Sequence, residues 1–173
     1  MTNHLKLDES TPSLSAICRA VEARLEGVEE LASLKLPLVL LPDFDSLPEA
    51  NLAAAIRLTP TAYQRLERRI LVNAATFSTL QEDVAEAVLA HEIGHALCHR
   101  DSIMERATDY RFLGECIVAD LLACKWGFFD ALKKERLKSN GPQYSQILGL
   151  WSDEGEFVRR MTEWYQVRLC GLA

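Results

Sequence analysis

AEAVLAHEIGHALCHRD, residues 85–101, carries three of the chain's four histidines, and two of them bracket a glutamate as His91-Glu92-x-x-His95. From Leu80 the apolar positions Val84, Val88, Leu89 and Ile93 recur with helical period to about His99. Ser78-x-x-Gln81 and Thr79-x-x-Glu82 offer two overlapping capping boxes just before it. On such a helix His91 and His95 stand one turn apart on the same face, so both imidazoles can reach one ion. Zinc accepts neutral imidazole nitrogens at ~2.0–2.1 Å, which suits that spacing. Glu92, beside the first histidine, is placed to take a proton from a water held by the metal, whose pKa falls to about 7 at a catalytic zinc. Gly94 leaves room for a substrate strand or a crossing helix. A chance match on an exposed helix is the competing explanation. The strong periodicity and the β-prone run directly before the helix count against it.

His99 continues the four-residue spacing, but it lies about 12 Å from His91 along a straight helix, and no glycine breaks the intervening ALC. It is expected at the helix C-terminus, where the dipole favours a protonated imidazole.

Upstream, STPSLSAICRAVEARLEGVEELASL places Leu14, Ile17, Val21, Leu25 and Val28 at three- and four-residue steps after Pro12, an amphipathic helix. LKLPLVLLPDF reads as a strand. NLAAAIRLTP and RRILVNAATF read as two more, with a turn or short helix around Thr59 to Glu67. Downstream, one long helix is expected over roughly 112–132, another near 143–151 and a last one over about 153–169. Strands early and helices late predict a single α+β domain over residues 1–173. Its sheet lies in about 1–78, and its metal-binding helices and helical C-terminal lobe in about 79–173.

With 49% hydrophobic and 25% charged residues, the chain has the composition of a folded domain and not of a disordered one. A net charge of −6 argues against nucleic acid or an acidic membrane as partner. No apolar run approaches the ~20 residues of a membrane helix, and no N-terminal signal segment is visible, so a soluble, cytoplasmic protein is expected. Five cysteines (Cys18, Cys98, Cys116, Cys124 and Cys170) without C-x-x-C spacing fit a reducing compartment, most of them as small buried hydrophobes. Trp126, Trp151 and Trp164 are expected as core anchors, and KKERLK, residues 133–138, as a solvated helix end.

The stretch RILVNAATFSTLQEDVAEAVLAHEIGHALCHRD (69–101), followed by ECIVADLLACKWG (115–127), resembles the gluzincin-type zinc metallopeptidases, small soluble zincin-like domains among them. The resemblance implies a zincin-like fold: a small antiparallel or mixed sheet packed on the active helix. It also implies zinc as cofactor, a peptide or protein as substrate, and Glu92 as the catalytic group for peptide-bond hydrolysis. In that family the strand before the active helix, here near Arg69 to Ala75, pairs with extended substrate. A glutamate on the next helix, in an E-x-x-A-D pattern, completes the site, and the aspartate supports a zinc-binding histidine.

Ala119-Asp120 matches the end of that pattern, but counting back places Cys116 where the glutamate belongs. Glu115 lies five residues before Asp120, about 100° off the expected face. Three arrangements compete. Cys116 can complete a His₂Cys site, as in peptide deformylases; thiolate binds zinc at ~2.3 Å. A helix irregularity near Gly114 can bring Glu115 round. Asp120 can itself bind, at the cost of its supporting role for the first histidine. Cys116, Ala119, Asp120, Ala123, Cys124 and Gly127 form a stripe of small residues along which two helices could approach closely.

Two other functions remain open at this point: a catalytically silent zinc-binding interaction module, and a deformylase-like amidohydrolase. Cysteine and histidine ligands also accept iron or cobalt. Tyr110, Tyr144, Tyr165 and several arginines are available as oxyanion donors, and nothing in the sequence selects among them.

Overall fold

The β-prone run LPLVLL forms β2 (Leu36–Leu41), and RILVN forms β4 (Arg69–Asn73), its parallel neighbour, with Leu38 opposite Ile70. β1 (Leu5–Leu7) runs parallel to β2, and β3 (Thr61–Gln64) runs antiparallel to β4. The order β1-β2-β4-β3 makes a mixed sheet in an α+β architecture. The structure is a computed structural model that describes residues 5–7, 12–31, 33–41, 59–100, 113–138, 155–156 and 159.

β3 falls where a turn or short helix is expected from the sequence. Residues 65–68 close the β3–β4 hairpin without glycine or asparagine, and Arg68 takes the left-handed conformation instead (φ 50°). The strand read in NLAAAIRLTP lies largely outside the described residues; its described end, Thr59 and Pro60, precedes β3. β4 ends at Asn73, whose carboxamide oxygen accepts the Thr76 N–H at 3.2 Å and starts the short helix α2 (Ala74–Phe77). β4 has a strand on each side, so it has no open edge for the extended substrate that the resemblance pairs with Arg69 to Ala75. Among the described strands, β3 and β1 are the edges.

α1 (Pro12–Arg24) buries Leu14, Ile17 and Val21 on one face, with Leu25 just beyond it, and opens with proline at its first position. α3 (Glu82–Arg100) is the central helix, packed on α1, on β3 and on both helices that follow it. Its residues from Val84 to Cys98 are buried at nearly every position, as expected of a helix with neighbours on all sides. The predicted capping boxes are not used. The Ser78 and Thr79 hydroxyls donate back to the Ala75 and Thr76 carbonyls, and α3 begins at Glu82.

The long helix expected after residue 112 is broken. α4 (Leu113–Ala123) passes through a π-type turn, Cys124–Phe128, into α5 (Phe129–Lys138). Gly127 makes the break by adopting φ 89°, open to glycine at little cost. Arg24 of α1 fastens it, donating to the Gly127 carbonyl at 3.2 Å and lying 4.8 Å over the Phe128 ring. Of the expected C-terminal helices only residues 155–156 and 159 are described, joined by the Arg159–Glu156 ion pair; Trp151, Trp164 and Cys170 lie outside. No helix among the described residues is long and apolar enough to cross a membrane.

α3 and α4 meet with almost no space between them. A Cβ added to Gly94 would stand 2.9 Å from both the Cα and the carbonyl oxygen of Ala119. These are backbone atoms, so relief requires the helices to part. Gly94→Ala is expected to cost about 1–3 kcal/mol, measured by urea denaturation against the unaltered chain.

Candidate metal centre

His91 and His95 project from one face of α3 with ring centroids 4.6 Å apart and planes nearly perpendicular, at 89°. Their Nε2 atoms face each other at 3.1 Å. Cys116 of α4 joins them, and the three ligand atoms lie within 4.8 Å of one another. Two nitrogens bound to one tetrahedral zinc at ~2.0–2.1 Å stand roughly 3.3 Å apart, so the histidine pair already has the spacing a metal requires. Two imidazoles and a thiol form a donor set suited to zinc, and these residues fit it. His91 is buried, whereas His95 and Cys116 are partly exposed.

Asp120 stands behind His91, away from Nε2. Its Oδ1 lies 2.6 Å from His91 Nδ1 and also accepts from Arg136 Nη2 at 2.6 Å; its Oδ2 accepts from Arg136 Nε at 3.0 Å. Both oxygens are thus engaged away from the metal-facing nitrogens. The side chain of Glu115 lies outside the described residues, as do Tyr110, Tyr144 and Tyr165.

Glu92 points at the sheet. Its Oε1 accepts from the Thr61 hydroxyl at 3.0 Å, and the carboxylate also accepts from the Tyr63 backbone N–H. The register explains this contact. Asn73 N–H donates to the Pro60 carbonyl at 2.9 Å, and Thr61 sits opposite Val72, so Ala62 and Gln64 bond to β4. The backbone groups of Thr61 and Tyr63 therefore face outward along the sheet edge. Tyr63 also stacks on His99, with ring centroids 5.5 Å apart, which ties the end of α3 to the same strand.

The environment sorts the ionisable groups. Burial raises the Glu92 pKa, against the opposing pull of His91 and the Thr61 hydrogen bond. Burial and the neighbouring His91 hold His95 well below the ordinary imidazole value, so it is neutral. Burial also opposes the charge on His91, but the Asp120 carboxylate and hydrogen bonds to Asp120 and Cys116 outweigh it and push His91 up to about 9. Asp120 is buried too, yet Arg136 and His91 hold its carboxyl far below the usual range.

Sequence reasoning missed Thr61 and Arg136. The first follows from recognising TAYQ as a strand paired across RLER with RILVN. The second lies inside KKERLK, which reads as solvated surface until the break at Gly127 turns α5 against α3, within reach of Asp120.

The sequence model described as peptidase family M48 matches residues 44–130, half of the chain. No curated protein and no solved structure gives a significant match.

The shifts carry a pH signature. His91 is raised, so its contribution to metal-free stability is full below the ordinary imidazole pKa of ~6.5 and is lost as pH rises through about 9. Asp120 is lowered, so its contribution is present above the ordinary carboxylate pKa of ~3.9 and is lost on strong acidification. Urea denaturation of the metal-stripped chain should show stability falling between pH 7 and 10, and Asp120→Asn should flatten that fall.

Proposed function

The chain belongs to peptidase family M48, and on that premise we propose that it is a zinc-dependent peptidase with His91, His95 and Cys116 as metal ligands and Glu92 as catalytic base. The observation that supports this most directly is the convergence of two Nε2 atoms and a thiol beside a buried carboxylate at a sheet edge. Zinc bound there supplies Lewis acidity to the scissile carbonyl and to the attacking water. Glu92 takes the proton from that water and returns it to the leaving amine; its raised proton affinity suits both halves of the transfer. Asp120 fixes the His91 ring through Nδ1, which leaves Nε2 for the metal.

Substrate is held by β3 in this reading. Thr61 and Tyr63 turn backbone groups to its outer side, the Tyr63 N–H toward Glu92, and an extended peptide that adds there as a further strand would take over that one bond. Glu92 accepts from both residues, so the base sits against the strand that aligns the bond to be cut.

Cys116 is the ligand assignment most open to direct test. Cys116→Ala should abolish stoichiometric zinc in the purified chain, whereas Glu115→Ala should retain it, both read by elemental analysis. The reverse pattern would replace the thiol with the carboxylate.

Glu92→Gln should keep zinc and lose cleavage of unfolded proteins and peptides by about 10²–10⁴-fold, followed by mass spectrometry. If zinc binds with no cleavage by the unaltered chain, an interaction module replaces the peptidase. Cleavage confined to formyl-peptides would point instead to an amidohydrolase.

A further inference from the structure

Arg136 has no part in the chemistry so far, although it lies within the same buried cluster. We infer that Arg136 is a positioning residue of the metal site, acting through Asp120 to fix the His91 ring; this role depends on the metal site proposed above.

The geometry of the pair carries it. The side chain of Arg136 is 14% exposed and that of Asp120 2%. Nε and Nη2 donate to separate oxygens of the carboxylate, at 3.0 and 2.6 Å. A two-point fork defines the plane of a carboxylate as well as neutralising it. That matters because the terminal torsion of aspartate is otherwise soft. The oxygen taken by Nη2 is the one that meets His91 Nδ1 at 2.6 Å, and Nη2 itself lies 3.2 Å from Nδ1. Arginine, carboxylate and imidazole form a closed triangle, so turning the carboxylate would break a bond to each partner. Holding Nδ1 in this way aims Nε2 at His95 and Cys116. Arg136 thus meets the His91 ring on its Nδ1 side, the side away from Nε2, both through the Asp120 carboxylate and at 3.2 Å from the ring itself.

An ion pair that merely clips α5 to α4 would have the same appearance, and metal binding separates the two. The metal-free chain is titrated with zinc against a chromophoric chelator, and with cobalt to read the thiolate and ligand-field absorption. Melting is recorded in parallel. Arg136→Met should weaken zinc binding by about 10- to 100-fold and alter the cobalt spectrum. Arg136→Lys, which restores the charge without the fork, should recover only part of the affinity. In an Asp120→Asn background, Arg136→Met should have little further effect on zinc.

Lower melting with unchanged zinc affinity and cobalt spectrum would reduce the pair to a structural clip and overturn the inference. An equal loss in the Asp120→Asn background would also overturn it, by showing a route other than Asp120. Should Arg136→Met fail to fold, Arg136→Lys decides alone: full affinity would sink the role and partial affinity support it. Failure of the unaltered chain to bind zinc would remove the metal site itself, and this role with it. Zinc binding with an indifferent Arg136 leaves the site standing and removes only the role.

Discussion

The structure depends on the contact between Gly94 and Ala119, where two helices pass with no side chain between them. Gly94 lies between Glu92 and His95 on α3, and Ala119 lies between Cys116 and Asp120 on α4. Backbone contact at that point leaves the flanking residues only a side chain's length to bridge. Imidazole, thiol and carboxylate meet for that reason. A larger residue at either position would separate the groups whose distances define the site, even if the core of α3 stayed intact. The remaining packing serves the same crossing: α1 braces α3 from another side, and the sheet supports Glu92 and His99.

The charged groups at the crossing are a poor means of stabilising a fold. Burying an aspartate, an arginine and a histidine costs several kcal/mol of desolvation per ion, and a hydrophobic cluster of equal volume often does as well or better. What the polar set provides is direction, since each hydrogen bond fixes the rotation of a ring or a carboxylate. Nothing apolar could do that. The same burial leaves the two carboxylates unlike: Arg136 and His91 hold Asp120 low, whereas Glu92 is raised by desolvation.

Much of this could be read from residues close in sequence. The spacing of His91 and His95 announces that they share one face of α3, and the small-residue stripe of α4 announces a close helix approach. Counting back from Asp120 picks out Cys116, the residue that the structure brings to the histidines. The pieces that were illegible depend on chain reversals without a strong local signature. The β3–β4 turn relies on Arg68 in a conformation usually left to glycine or asparagine, so TAYQ read as a turn or short helix and β4 as the strand open to substrate. Gly127 sits in a sequence whose apolar period continues on both sides, and a lone glycine within such a pattern is compatible with an unbroken helix. Missing that reversal left Arg136 on an imagined surface.

The reversal at Gly127 also orders events during synthesis. Arg136 follows His91 by 45 residues but Asp120 by only 16, so during synthesis the histidines are made long before the guanidinium, and Asp120 shortly before it. Until then, closing α4 on α3 would strip water from Asp120 without offering the guanidinium that replaces it. A cluster built this way gains its full set of charges only once α5 has been made and folded back.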